Sequence, residues 1–391
     1  MTATELFLLA LLIIFLLPWG LWRLVGGDRI VPLVVVQIVG GILLGPGVLG
    51  ALVPEAHATL FTPDVLQALS GIAWWAVMLF VFVAGLELDL DHAWKARTDT
   101  LVTSGLALAL PLALGALAAL LAMGDPRWLG PEGQRWQLVA GIGMACAVTA
   151  LPILVLFLER LQILRTALGQ RVLRYASLDD MAVWAVLAII LVDAERLGRQ
   201  LLFFILFAIL AWAARQVFAK AEDNDRWPLA LIWLIVVALG ADWSGLHFMV
   251  GAFLAGAVLD AKSFGLEKID TMRDRVLLLL MPVFFLSTGL RTRWEMGGLE
   301  VVGVALLLLV AAVAGKMGGV AIAGRINGWP EGEARLVGWL LQTKALIMII
   351  FANILLDRGV ISSTTFTALL LMAVMSTMLT MPMARRAGRT A

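Results

Sequence analysis

Apolar runs of about twenty residues, each long enough to cross a hydrocarbon core of about 30 Å, recur from one end of this sequence to the other between short polar loops. Such a chain leaves its backbone few options. In lipid every N–H and C=O must be satisfied within the protein, so consecutive apolar runs become helices packed on helices. Reading the runs off predicts thirteen spans, at about 4–22, 30–52, 66–88, 100–123, 136–158, 167–192, 200–219, 228–241, 246–261, 276–291, 299–323, 334–356 and 361–383. The expected fold is therefore an all-α polytopic membrane protein, with no stretch left over for a soluble domain. Composition agrees, since 15% of the 391 residues are charged, against roughly 25% in a soluble domain. The first run has no basic leader and no small-residue cleavage site, so it reads as a retained helix.

Lysine and arginine distribution predicts the orientation. Placing the loop after the first span in the cytoplasm puts twenty basic residues on that side and seven on the other, with Lys316 and Lys344 inside spans. The expectation is an N-terminus outside, a cytoplasmic C-terminus and an odd number of crossings. Topology thus accounts for the basic residues, and the net charge of +1 points to no nucleic-acid partner. Cys146 is the only cysteine, which excludes an internal disulfide and a cysteine-cluster metal site. His57, His92 and His247 are too scattered to form a ligand set, and no cofactor is expected.

Charges inside apolar spans carry the chemistry, because each costs at least about 2.5–3.5 kcal/mol at a helix centre. Asp179 and Asp180 stand midway along the sixth span in SLDDMAVW, Lys316 deep in the eleventh in VAGKMGG, and Lys344 in the twelfth in LQTKALIM. Adjacent carboxylates on a helix point about 100° apart, so one can face a water-filled cavity while the other faces a neighbouring helix and an internal cation. Lys316, too far from either end of its span to snorkel, is the expected internal cation.

Two spans are interrupted. Pro152 removes a backbone donor in the fifth and disfavours helix just before it, while Gln342, Thr343 and Lys344 break the apolar run of the twelfth. Irregular backbone at membrane depth is tolerated where it is buried in protein or lines a cavity. One interruption in each half of the chain points to a substrate site between inverted repeats, at a crossing of two broken helices. A carboxylate there binds either a proton or a small cation, and alternating exposure of such a site is antiport. A cation channel, a non-transporting membrane sensor and an intramembrane aspartyl protease are the alternatives. The last needs facing carboxylates from different helices, which adjacent residues cannot provide.

Eight segments, in order, carry a resemblance. They are Val36 to Gly50, Val81 to Leu90, Ala147 to Leu164, Ser177 to Trp184, Gly245 to Leu259, Leu279 to Thr292, Gly315 to Gly319 and Gln342 to Ser362. Together they resemble the second monovalent cation:proton antiporter family, which includes NapA-type sodium/proton exchangers, Kef-type potassium systems and plant cation/proton exchangers.

The resemblance implies a bacterial inner-membrane homodimer that exchanges Na+, K+ or Li+ for H+. Its core would comprise residues 100–192 and 299–383, moving against a dimerisation and gating part at 4–88 and 228–291, with a linker helix at 200–219. It further implies that Asp180 binds the ion, that Asp179 pairs with Lys316, and that Thr149 offers oxygen to the cation beside Pro152. The crossover would be completed by Thr343 and Lys344. An Asp-Asp pair resembles the electrogenic members. One departure concerns cation selectivity: members often carry Glu after the second break, where Ala345, Leu346, Ile347, Met348 and Ile349 stand here. Glu87, Asp89 and Asp91 are candidates for a cation-attracting funnel or a solvated helix end.

Overall fold

A computed structural model describes the chain except at positions 1, 25–32, 47, 87–97, 165, 193–196, 291–297, 331 and 389–391. The acidic trio at 87, 89 and 91 and His92 therefore lie outside the described residues. Among the described residues the secondary structure is helical, and β-pairing is limited to one isolated bridge between Leu129 and Ile361.

Sixteen helices matter below. They are α1 (Ala3–Leu24), α2 (Leu33–Leu44), α3 (Pro63–Leu86), α4 (Thr98–Ala122), α5 (Arg135–Ala147), α6 (Leu151–Arg160), α7 (Ala167–Ile190) and α8 (Leu197–Lys220). Then come α9 (Asp223–Ser244), α10 (Phe248–Ala257), α11 (Leu266–Leu279), α12 (Met281–Leu290), α13 (Gly298–Ile326), α14 (Glu333–Leu340), α15 (Ala345–Asp357) and α16 (Ser363–Gly388). Eight of the described helices are long and apolar enough to cross a bilayer, or nine if α14 and α15, bent by 43° at their break, form one crossing.

That is fewer than the thirteen spans predicted, and the reasons are local. The fifth span is split into α5 and α6; α10 and α12 have ten residues each, about 15 Å of helix at 1.5 Å per residue. Helix α7 has 24 residues but carries Arg171, Arg174, Asp179 and Asp180. The outward faces have the inverse of a soluble pattern: α8 exposes Leu201, Phe204, Ile205, Ile209 and Trp212, as a helix bathed in lipid does.

The chain divides into two compact units. One comprises residues 1–17, 53–90 and 191–287. Inside it α10 lies against α3 with almost no side chain between, because a Cβ on Gly256 would stand 2.1 Å from the Phe82 carbonyl oxygen and one on Gly85 2.3 Å from that of Phe253. Gly251 brings α10 close to α9, an added Cβ standing 2.7 Å from the Val237 carbonyl oxygen, and the Trp233 indole N–H donates to the Ala255 carbonyl at 3.0 Å. Small residues that let helix backbones meet are the usual device where lipid removes the hydrophobic drive to associate.

The other unit comprises residues 18–52, 91–190 and 288–391. Its longest helix, α13, is seated on α4 by glycine: a Cβ at Gly315 would lie 2.3 Å from Cα of Pro111, and one at Gly319 2.2 Å from the Leu106 carbonyl oxygen. Gly115 and Gly143 bring α4 close to α5, where an added Cβ would stand 2.7 Å from Cys146 Cβ and 2.8 Å from the Leu112 carbonyl oxygen respectively. At one end, the loop after α4 is stitched to the loop before α16. Gly130 N–H donates to Val360 O and Glu132 N–H to Gly359 O, both at 3.0 Å, and Thr365 Oγ1 donates to Trp128 O at 2.6 Å. At the other, Arg171 pairs with Glu333 and lies 5.4 Å from the Trp329 ring, which stacks on Tyr175.

Candidate functional site

Helix α7 buries Val172, Tyr175, Ala176, Asp179, Asp180, Val183, Trp184, Leu187 and Ile190. Steps of three and four give a single stripe on a 3.6-residue helix, and both carboxylates fall within it. Asp179 is 1% and Asp180 6% exposed. The two sit on one buried face, about 100° apart across it.

Two helix breaks meet in the same unit. Helix α5 ends at Ala147 and α6 begins at Leu151, leaving Val148, Thr149 and Ala150 non-helical; α14 ends at Leu340 and α15 begins at Ala345. Pro152 is the second residue of α6, a position whose N–H has no intrahelical partner, so proline costs nothing there while disfavouring helix just before it. Its side chain lies outside the described set. The breaks touch through backbone, Ala150 N–H donating to Thr343 O at 2.6 Å.

Lysines close the orphan carbonyls that a helix end leaves. Lys344 Nζ donates to Cys146 O at 2.6 Å and Val148 O at 3.0 Å. Lys316 Nζ donates to Ala147 O, to Thr149 Oγ1 at 3.1 Å and to Asp179 Oδ2 at 2.9 Å. Three acceptors use all three ammonium hydrogens. Both lysines are fully buried, and both stand at the C-terminal, electronegative end of α5, where a cation is favoured.

Thr149 joins the pieces. Its Oγ1 lies 2.7 Å from Asp179 Oδ2 and 2.8 Å from the Leu341 carbonyl oxygen, while accepting from Lys316. One hydroxyl hydrogen serves two acceptors, so the hydroxyl can turn from the carboxylate to the carbonyl without moving the backbone.

The sequence singles out Asp180, Asp179, Thr149, Lys316, Pro152, Thr343 and Lys344; the structure joins Asp179, Thr149, Lys316, Thr343 and Lys344 by hydrogen bonds at one crossing, while Asp180 shares the buried face of α7 and Pro152 stands in the first turn of α6. Sequence reading did not single out the hydroxyls of α16 that brace the second break. Ser376 Oγ donates to Gln342 O at 2.9 Å, and Thr377 Oγ1 accepts from Ala345 N–H at 2.9 Å. Their signal was available, as Ser376 and Thr377 are adjacent hydroxyls in an otherwise apolar run. His247 has a local role, capping α10 by accepting from Met249 N–H. Among the described residues no group of three His, Cys, Asp or Glu side chains is arranged to hold a metal ion.

The family profile described as "Sodium/hydrogen exchanger, transmembrane" matches residues 11–386, nearly the whole chain. The chain belongs to the transmembrane sodium/hydrogen exchanger family. Among relatives in that family, a Na+/H+ antiporter of Synechocystis, NhaS4, is 29% identical over 98% of this chain and 97% of its own length. Cation/H+ antiporter 17 of Arabidopsis thaliana is 28% identical over 90% of this chain, which spans 45% of the plant protein. In fold the exchanger chain is similar to the sodium proton antiporter MjNhaP1 of Methanocaldococcus jannaschii, with TM-score 0.63, 12% identity and coverage of 99% of this chain and 96% of that one.

Proposed function

We propose that this exchanger is a secondary antiporter that moves a monovalent cation, Na+ or K+, against protons, using Asp180 as the ion-binding carboxylate and Asp179 as its partner. The observation that supports this most directly is the company the carboxylates keep. Asp179 pairs with the fully buried Lys316 beside a hydroxyl, where two helix breaks cross. The relatives reported above carry cation/proton antiport in their names, and the family profile covers the site from end to end.

Competition for charge provides the coupling. A bare carboxylate is costly at this depth, so it holds either a proton or a cation. A cation bound by Asp179 and Asp180 draws on the same oxygen that receives the Lys316 ammonium, so loading cation weakens the ion pair. Cation loading on one side and proton loading on the other is then exchange, electrogenic when more than one proton is exchanged per cation. Alternating access would be of elevator type, the core of residues 100–192 and 299–383 carrying the site relative to 4–88 and 228–291, with 200–219 as linker. The protein would be a homodimer in the bacterial plasma membrane with N-terminus outside and C-terminus in the cytoplasm.

Purified protein in liposomes tests the reading. Adding sodium, potassium or lithium should collapse a preformed pH gradient, and Asp180→Asn should abolish the effect. Cation current without proton movement would make the protein a channel, and full exchange by Asp180→Asn would remove the site.

A further inference from the structure

Gln342 is the last residue before Thr343 at the second break. Its backbone is fully engaged, the N–H donating to Trp339 O at 3.1 Å and the carbonyl accepting from Ser376 Oγ at 2.9 Å. Its side chain is fully buried, and neither Oε1 nor Nε2 has a hydrogen-bond partner among the described residues. Exchanging the two amide atoms changes nothing, as both are in the same condition.

At the two breaks the other polar side chains named above are spoken for. Thr343 Oγ1 donates to Leu340 O, Lys344 holds two carbonyls, Lys316 has three acceptors, and Thr149 bridges Leu341 O to Asp179. A buried carboxamide without partners costs stability, and a leucine or methionine, abundant in this chain, would fill comparable space without that cost. The neighbouring residue, Leu341, is linked through one hydroxyl to Asp179. Asp179 Oδ1 is likewise buried with no hydrogen-bond partner among the described residues. An amide oxygen and a carboxylate oxygen at one crossing are the oxygens that replace the hydration shell of a small cation.

We infer that the Gln342 side chain is a specificity-determining ligand, adding a neutral oxygen to the charged ones that hold the transported cation. The inference rests on the antiport reading, and it deepens that reading by naming a residue that tells one monovalent cation from another. A carbonyl-type oxygen discriminates by the number and field of the oxygens around the ion, and adds no charge that a proton could neutralise.

The test is thermal unfolding of the full chain in detergent, followed by tryptophan fluorescence and titrated with sodium, potassium or lithium chloride at ionic strength held constant with choline chloride. Gln342→Met should change the ratio of apparent affinities for two of the three cations by about tenfold while leaving the cation-free midpoint unchanged or higher, since it removes an unpartnered amide. Gln342→Glu, which keeps an oxygen and the side-chain length, should retain binding with an altered order of cations, and serves if the methionine variant does not fold. Unchanged cation ratios in whichever of the two folds would overturn the inference. Asp180→Asn separates the two claims. If it removes every cation-dependent shift while the Gln342 variants behave as the parent, only the assignment of Gln342 fails. If Asp180→Asn keeps the shifts, the site itself is elsewhere.

Discussion

Ala150 gives its backbone N–H to the carbonyl of Thr343 at 2.6 Å, so each helix break satisfies an orphan group of the other. Neither interruption is stable alone at membrane depth, where an unpaired backbone group has no water to turn to. Ala150→Pro removes that donor and should cost about 1–3 kcal/mol from the unpaired Thr343 carbonyl, with backbone strain in addition. Ala150→Ser keeps the donor and should stay within about 1 kcal/mol of the parent. Unfolding midpoints in detergent measure both.

The pair Asp179 and Lys316 is buried on both sides, 1% and 0% exposed. Removing one partner strands a charge, so Lys316→Met should destabilise by about 3–5 kcal/mol, and adding Asp179→Asn to it should recover most of that loss. The double-mutant cycle is read from chemical unfolding. In liposomes, Lys316→Met should also change the voltage dependence of exchange, measured by imposing a potassium diffusion potential.

Thr149→Val keeps the shape and deletes the hydroxyl that accepts from Lys316 and reaches Asp179 and Leu341. The expected loss is about 1–3 kcal/mol, the cost of partners left unsatisfied, together with weaker apparent cation affinity. Thr149→Ser should restore both, and equal behaviour of the valine and serine variants would show the hydroxyl to be idle.

Lys344 holds two carbonyls at the end of α5. Lys344→Met should leave them without a donor and lower stability by about 1–3 kcal/mol. Because the contact is with backbone, no second substitution of a side chain on α5 compensates, unlike the Lys316 case. That contrast is checked by comparing rescue in the two series.

Along α13, alanine substitution should hurt according to what the new methyl meets. At Gly319 it meets backbone at 2.2 Å, at Gly318 a flexible Leu110 methyl at 3.0 Å, and at Gly303 nothing within 4 Å. The expected order of destabilisation is Gly319, then Gly318, then Gly303, the first at about 1–3 kcal/mol or more and the last within about 0.5 kcal/mol.

What could be read in advance followed one rule, that a residue which violates its local environment declares itself. Asp179, Lys316 and Lys344 stand out because an apolar run has no use for them, and Pro152 because it disfavours helix just before it. The partners did not declare themselves. Lys344 is 198 positions from the carbonyl of Cys146 and 196 from that of Val148, and carbonyls have no signature in sequence at all. The number of crossings was harder still, because α10 and α12 are shorter than their apolar runs and helix length depends on what packs beside it. Ser376 and Thr377 read as two unremarkable hydroxyls until the opposite break supplies the groups they hold.

The carboxylate of residue 179 precedes its ammonium partner by 137 positions. A ribosome delivers them in that order, so α7 enters the bilayer well before α13 exists. An acid held there without a counterion is costly. The ion pair at the crossing is therefore closed by the second half of the chain, and the first half carries the unpaired acid until Lys316 is delivered to it.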